Sequence, residues 1–277
     1  QPPALVHKKH HPSPCRTGEV TMIDEWDLTA TNLHRISQRK YEVAVLPVAA
    51  IEPHNRHLPQ GQDFRHATHV ARESCRMAFE QCESVLCLPA LPYGVDCNLM
   101  AFPMAIHVSQ ATLDAMVREI IVSLMAHGIR KIVLLNGHGG NDFTPLIRQI
   151  QCDLDVHVFQ CDWWTVGRDK YDEIFDRPDD HAGQLETSVA LALYLELVEP
   201  DQAGDGRTPE FLFEALNEGW VKTSRRFDRL NDHCASGDPT GATAERGQAY
   251  LQLVCGRVAR FLAELADTPI DKTFPHK

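Results

Sequence analysis

The chain has 277 residues, of which 43% are hydrophobic, enough to bury a full core as one large domain or as two small ones. Its formal net charge of −11 at pH 7 argues against a nucleic-acid or anionic-membrane surface, because phosphates would be repelled. No apolar run approaches the roughly 20 residues that are needed to span a bilayer.

The amino-terminal segment and the cysteines bear on domain organisation and cellular location. Residues 1–18 are rich in proline and histidine and are predicted to be flexible, so that residues 19–277 form a single domain. The basic residues near the amino terminus are not followed by the apolar run of a secretory signal. The nine cysteines form no CxxC pair, and most lie in apolar contexts, as reduced thiols do. A cytoplasmic location is therefore predicted.

Apolar segments alternate with helical segments along the chain. Runs typical of buried strands are VAVLPVAAI at 43–51, SVLCLPALPYG at 84–94, KIVLLNG at 131–137 and VHVFQCDWW at 156–164. Helical patterns occupy residues 65–82, 110–127, 142–151, 184–198 and about 241–266. Strands that are apolar throughout and separated by helices imply an α/β fold, with a mainly parallel sheet covered on both faces.

Side chains that can bind metal stand where two of the predicted strands end. The first strand runs into Glu52 and His54, which face the same side if the chain stays extended. Asp63 follows after a loop with proline and glycine that can fold back. The third strand ends in NGHGGND, whose glycines allow a tight bend that presents His138. Because sites in parallel sheets form at the carboxyl ends of strands, these side chains are predicted to share one edge.

A later motif, HAGQLETS, adds two candidates to that edge. It places His181 before a predicted helix and Glu186 in the first turns of that helix. A set of carboxylates and imidazoles without a thiolate suits Zn, Mn or Fe. Two imidazoles and three carboxylates exceed the needs of one tetrahedral zinc ion and fit a pair of ions bridged by one carboxylate. The candidate ligands are Glu52, His54, Asp63, His138 and Glu186.

Four motifs in this sequence resemble signatures of the creatininase family, and they occur in the family's order. The resemblance spans about residues 40–260. The motifs are IEPHNRHLPQGQD at 51–63, LLNGHGGN at 134–141, HAGQLETS at 181–188 and SGDPTGATAERG at 236–247. The resemblance implies a three-layer α/β/α sandwich with a mainly parallel central sheet, a two-metal centre, and a homo-oligomer, usually a hexamer built from dimers.

The same resemblance implies a role for each site residue. Glu52, Asp63 and His138 would hold one ion. His54 and Asp63 would hold the other, with Asp63 as the bridge and Glu186 as the remaining carboxylate. His181 matches the family's proton carrier, and we therefore predict that it is the catalytic residue.

The sequence also departs from creatininase proper around the substrate. Gly140 stands where that enzyme has a glutamate, and no tryptophan shortly precedes His181. The stretch at 93–109 lacks a Glu-His pair and a Gly-Thr that relatives share. A changed pocket is therefore predicted, and creatinine itself is doubtful as the substrate. An apolar wall is predicted from Met100, Phe102 and Met104.

Several further residues are candidates with open alternatives. Trp163 and Trp164 are predicted either to pack in the core or a lid, or to stack on a planar substrate. Asp162 could pair with a ligand histidine or touch substrate, and His107 could line the pocket. His57 is predicted to be a loop histidine, with orientation of a ligand as the alternative.

The predicted function is hydrolysis of a C–N bond in an amide, such as a cyclic amide, by a hydroxide that bridges two divalent ions. Zinc is the expected metal, with manganese or iron as alternatives, and a small molecule is the expected substrate. Neither nucleic acid nor membrane is an expected partner. Three other functions stay open: deformylation of a formamide, cleavage of a keto-inositol ring, and non-catalytic binding of a small ligand.

Overall fold

A four-stranded parallel sheet in the order β2–β1–β3–β4 forms the centre of the fold. The computed structural model describes residues 24–177 and 179–277, so the predicted flexible segment at 1–18 lies outside the described residues. The strands are β1 (Val43–Val48), β2 (Val85–Cys87), β3 (Lys131–Asn136) and β4 (His157–Asp162).

The central strands are buried on both faces, which explains their unbroken apolar sequences. All six residues of β1 and all six of β3 are buried. Val43 and Val45 face one side of the sheet, whereas Ala44 and Leu46 face the other. The second strand is shorter than the predicted 84–94. Prolines in that stretch remove the donors that a longer ladder needs, and the chain returns to β1 only at one isolated bridge.

Helices cover both faces of the sheet, and the predicted three-layer α/β/α sandwich is confirmed. One face is covered by α2, α6 and α8, and the other by α3 and α4. The helices are α1 (Leu33–Ile36), α2 (Gln62–Cys82), α3 (Gln110–Ala126), α4 (Thr144–Asp153), α5 (Tyr171–Ile174), α6 (Gln184–Tyr194), α7 (Glu214–Asn217) and α8 (Ala244–Asp267). None of these helices is both long enough and apolar enough to cross a membrane.

The contact between α6 and α8 depends on a glycine. A Cβ atom at Gly247 would lie 2.0 Å from the backbone oxygen of Ser188, so only glycine lets the two helices approach this closely. Thr243 caps α8 by accepting a hydrogen bond from the backbone N–H of Arg246 at 3.2 Å. The motif SGDPTGATAERG thereby fixes the position of α6, which carries Glu186.

Residues 200–240 form a mostly irregular excursion between α6 and α8. The chain returns from it through β6 (Ser236–Gly237), which pairs antiparallel with β5 (Asp179–His181). This short pairing brings the excursion back to the start of α6, beside the carboxyl edge of the central sheet.

Candidate metal centre

The five candidate ligands meet at the carboxyl edge of the central sheet. The last residues of β1 and β3, Val48 and Asn136, lie side by side in the parallel register. Each strand therefore delivers the residues that follow it to the same place. The first turns of α2 and α6 close on that place from the side. The side chains brought together are Glu52, His54, Asp63, His138 and Glu186.

Asp63 lies between the two imidazoles. Its Oδ1 is 3.0 Å from Nε2 of His54, and its Oδ2 is 3.0 Å from Nδ1 of His138. Glu52 Oε1 lies 3.1 Å from the same nitrogen of His138. Glu186 Oε1 lies 3.7 Å from Nε2 of His54. One carboxylate thus faces two separate groups of candidate ligands.

These contacts define sets of ligand atoms in which all members lie within 4.8 Å of one another. One set is Glu52, Asp63 and His138, and another is His54, Asp63 and Glu186. Both sets contain Asp63, which is the residue predicted from the sequence to bridge two ions. A third set joins Glu52 and His54 to His181, so His181 also lies within reach of an ion.

The donor set fits divalent cations. Among residues 24–177 and 179–277, no lysine or arginine forms an ion pair with Glu52, Asp63 or Glu186. Glu52 Oε2 is buried and has no hydrogen-bond partner in that same part of the chain, and His54 Nε2 is buried without a well-aligned one, although Asp63 Oδ1 lies 3.0 Å away. Buried polar atoms are rarely left this way, because each costs free energy unless a donor, an acceptor or an ion satisfies it.

The buried carboxylates and imidazoles of the cluster shift one another's pKa values strongly. Burial, with the charge of Asp63, raises the pKa of Glu52 to about 8. Burial also disfavours the charge on Asp63, but the two imidazoles outweigh it and hold that pKa below its ordinary value. The neighbouring carboxylates raise the pKa of His54 and of His138 well above the ordinary value, against the effect of burial.

Hydrogen bonds from Asn136 fix the loop that carries His138. The Asn136 side chain accepts from the backbone N–H of His138 at 3.2 Å and donates to its carbonyl at 2.9 Å. Asp162 accepts from the same amide group at 2.9 Å. A Cβ at Gly137 would lie 2.6 Å from that of Ala67, so the glycine permits this loop to pack on α2. Asn136 and Gly137 of the NGHGGN motif are therefore needed for the conformation and packing of this loop.

His181 lies next to the candidate ligands, and only one of its two ring nitrogens forms a hydrogen bond with the described part of the chain. Its Nε2 donates to the carbonyl of Pro53 at 3.0 Å, while its Nδ1 is 3.8 Å from Glu52 Oε1. The ring centroid lies 4.2 Å from that of His54. Burial, with a smaller effect of His54, lowers the pKa of His181 to about 4. A neutral ring whose proton is on Nε2 leaves Nδ1 able to accept a proton.

A cleft of about 610 Å³ opens above the ligands. Trp164 lines it, as one reading of the sequence proposes. The other three candidate substrate-binding residues lie outside its lining. Trp163 is only 1% exposed and packs in the core, and Asp162 is engaged by Asn136 and Gln160. His107 accepts a backbone hydrogen bond from Asp96 at 3.2 Å.

The apolar wall differs from the prediction. Met100 and Met104 are 53% and 71% exposed, and Phe102 packs beside the cleft without lining it. Leu99 and Asn98 line the cleft instead, because the turn at 98–103 directs the two methionines outward. His57 is buried, unlike an ordinary loop histidine, and its Nε2 lies 2.9 Å from Thr187 Oγ1 on α6.

Other cleft residues are absent from the predicted site. Arg225 and Phe227 come from the irregular excursion, and Arg168 and Tyr171 follow β4. The ring of Phe227 makes an edge contact with His181, with centroids 5.0 Å apart, and the Arg225 guanidinium lies 5.3 Å from the Phe227 ring centre. The excursion has no hydrophobic periodicity, so its sequence held no signal that would single these residues out.

Comparison with known proteins agrees with this geometry. The family model described as creatininase, creatinine amidohydrolase, matches residues 26–262. Creatinine amidohydrolase of Pseudomonas putida is 32% identical over 184 residues, which are 59% of this chain and 68% of that protein. The mycofactocin precursor peptide peptidase of Mycobacterium ulcerans is 30% identical over 223 residues, which are 78% of this chain and 83% of that protein.

Solved structures show the same fold. A structure from Bacteroides fragilis with a provisional creatinine amidohydrolase assignment has a TM-score of 0.81 and 33% identity, and the match covers 90% of this chain and 99% of that one. Creatininase structures at 24% identity and a TM-score of 0.70 include a Zn–Zn form and a Mn form, with 88% of this chain and 99% of theirs covered. The chain therefore belongs to the creatininase family.

Proposed function

We propose that this protein is a metal-dependent amidohydrolase that cleaves a C–N bond at the candidate metal centre. One ion would be held by Glu52, Asp63 and His138, and the other by His54, Asp63 and Glu186. The observation that carries the proposal is Asp63, whose two oxygens each lie 3.0 Å from a different imidazole. A carboxylate that lies between two ligand groups in this way is placed to bridge two ions.

The metals would supply the activation that an amide requires. Two divalent ions at such a centre lower the pKa of a shared water toward neutrality and polarise a carbonyl group. The Zn–Zn and Mn forms of solved creatininases support zinc or manganese as the metal.

The protein's own contribution to the chemistry would be proton transfer by His181. Water that adds to the amide carbonyl loses a proton, and the nitrogen that leaves must gain one. The Nδ1 of His181 lies beside the ligands and can carry that proton, because the Pro53 carbonyl holds the other ring proton on Nε2. A positioned acid–base group of this kind typically contributes about 10²–10⁴-fold to the rate.

The cleft favours an amide larger than creatinine. Its volume of about 610 Å³ is in the range of sites for drug-sized ligands, ~300–1,000 Å³. Its walls combine the aromatic rings of Trp164, Tyr171 and Phe227 with charged groups such as Arg168 and Asp172. A single five-membered ring would leave most of these groups without a contact. A short peptide or an N-acyl compound would reach them, and the related peptide peptidase supports this choice.

The test is His181→Gln in the metal-loaded enzyme. We expect unchanged metal content and a kcat lowered by about 10²-fold or more, because only the proton carrier is lost. Substrates to be compared are creatinine, short peptides, N-acyl amino acids, formamides and keto-polyols. His127→Gln, at the exposed end of α3, is the matched control and should change neither quantity.

Three outcomes would contradict the proposal. An unchanged kcat in His181→Gln would make His181 structural. Loss of metal in that variant would place His181 among the ligands, as the set with Glu52 and His54 allows. Absence of turnover across the whole panel, with both metals bound, would favour the binding of a small ligand without catalysis.

A further inference from the structure

The two nitrogens of the His138 ring face different surroundings. The Nδ1 atom points into the candidate metal centre, 3.1 Å from Glu52 and 3.0 Å from Asp63. The Nε2 atom points away from the centre, toward the carbonyl oxygen of Val95 at 3.2 Å, and lies 3.0 Å from Asp96 Oδ1. If Nδ1 is to bind a metal ion, the ring proton must stay on Nε2.

Asp96 lies on the side of the His138 ring that faces away from the candidate metal centre. It is 0% exposed, and neither of its carboxylate oxygens has a well-aligned hydrogen-bond donor in the described part of the chain. Its nearest polar neighbour of opposite charge is His138. Burying a carboxylate costs free energy unless it is paired and fully hydrogen-bonded, so packing alone does not account for Asp96.

The backbone around Asp96 is fixed in a way that aims its carboxylate at the ring. The Asp96 backbone N–H donates to Nδ1 of His107 at 3.2 Å, and Gly94 forms a parallel bridge with the same histidine. Asn141 also accepts from the backbone N–H of Val95 at 3.1 Å. The strand-like segment 94–96 is thereby attached both to the 105–108 segment and to the loop that carries His138.

Space for this arrangement comes from Gly140. A Cβ atom at that position would lie 2.3 Å from His138 Nε2 and 2.3 Å from the Val95 carbonyl oxygen. Any side chain there would separate the imidazole from the 95–96 segment. The absence of a side chain at Gly140 therefore allows the 95–96 segment, with Asp96, to contact the His138 ring.

We propose that Asp96 is a positioning residue for the metal centre. Together with the Val95 carbonyl it keeps the proton of His138 on Nε2, directs Nδ1 at the ion, and makes the imidazole a better electron donor. Carboxylates that contact the distal nitrogen of a ligand histidine act in this way, and their loss typically weakens metal binding by about 10–100-fold. The inference rests on the metal centre of the proposed function and not on the reaction or the substrate.

The experiment is a titration of metal-free protein with zinc in competition with a chelator, for wild type and for Asp96→Asn. The variant keeps the size of the side chain but removes its charge. We expect one of two zinc ions to bind about 10–100-fold more weakly and the other to bind as in wild type. Without metal, the midpoint of thermal unfolding should fall by less than in a variant of a buried aspartate that has well-formed partners, because Asp96 contacts only the imidazole of His138.

Asp27→Asn is the matched control. Asp27 is also buried, but its carboxylate is paired with Arg72 and accepts a hydrogen bond from Thr29, and it is not among the residues of the candidate metal centre. It should lower the midpoint of unfolding and leave zinc affinity unchanged. A second measurement uses wild type alone: ¹⁵N spectra of labelled histidine in the zinc-loaded protein should show the proton of His138 on Nε2 and none on Nδ1.

The titration separates this inference from the proposed function, because it uses zinc alone and requires no turnover. Unchanged zinc affinity in Asp96→Asn would overturn the inference and leave the Val95 carbonyl as the orienting group. A metal-free midpoint lowered as much as in Asp27→Asn, with both zinc ions weakened alike, would also overturn it. In that case Asp96 would be a structural residue.

Discussion

The two ends of the central sheet treat buried charge in opposite ways. At the amino end, Lys131 begins β3 and is only 2% exposed. Its ammonium group donates to the carbonyl oxygens of Leu265 at 2.8 Å, Ala266 at 3.2 Å and Thr268 at 2.5 Å. These carbonyls end α8, where backbone acceptors have no partner within the helix. The charge is satisfied entirely by the fold.

At the carboxyl end, charge is buried without such compensation. Glu52, Asp63 and Glu186 contact imidazoles, and across the described residues none of them has a lysine or arginine partner. Like charges held this close repel one another, and burial adds a desolvation cost. The hydrogen-bonded ammonium group of Lys131 stabilises the fold at the amino end. The carboxylates at the carboxyl end destabilise it unless they bind a cation, which is consistent with a role as metal ligands. Substitutions at the two ends should therefore have opposite consequences.

The largest effect is expected for Asp63→Asn. The variant keeps the shape of the side chain but removes the charge that faces both imidazoles. It should lose both metal ions and reduce turnover to background, as measured by elemental analysis and by initial rates. Retention of one full equivalent of metal would contradict the role of Asp63 as a bridge.

Much of the carboxyl end could be predicted from the sequence, because its information is local. An unbroken apolar run predicts a central strand, and the residues just after such a strand must lie at the sheet edge. The bounds of β1 and β3 fall within the predicted runs. The structure accordingly places Glu52, which follows β1, beside His138, which follows β3, and beside His54.

The rest depends on contacts between distant parts of the chain, which carry no local pattern. His57 is buried because it meets Thr187, 130 residues away. Arg225 and Phe227 reach the cleft through long-range contacts, which include the pairing of β6 with β5. Met100 and Met104 are exposed because of the turn that carries them, and the direction of that turn cannot be predicted from the apolar character of the two residues. Sequence therefore locates the ligands better than it locates the substrate wall.

An intermediate effect on activity is expected at Phe227, where the excursion at 200–240 contacts His181. Phe227→Leu keeps an apolar side chain but removes the ring that contacts His181 and lies beside Arg225. We expect kcat/KM to fall by roughly 10-fold, within the range for altered pocket contacts, with both metals retained. Phe213→Leu, in the same excursion but exposed, should leave kcat/KM unchanged. Loss of metal in Phe227→Leu would show that the wall also supports the ligands.

The smallest effect on activity is expected at the opposite end of the sheet. Lys131→Met keeps the length of the side chain but removes three charge-assisted hydrogen bonds, which leaves the last carbonyls of α8 without their donor. The free energy of unfolding should fall by about 2–3 kcal/mol, since hydrogen bonds to charged groups contribute about 1.5–3 kcal/mol each and the methionine recovers part of the loss by packing. Chemical denaturation would measure this change.

Activity decides whether the two ends are independent. In Lys131→Met, metal content should equal that of wild type and kcat should stay within about twofold, because the lost bonds lie at the amino edge of the sheet, opposite the ligands. Lys40→Met is the matched control: Lys40 is exposed and pairs with Glu42 at 2.6 Å, and a surface pair of this kind contributes only about 0–1 kcal/mol. If Lys131→Met instead lost metal while its stability was unchanged, the contrast between a stabilising end and a binding end would be wrong. A change at Lys131 would then affect metal binding at the opposite end of β3.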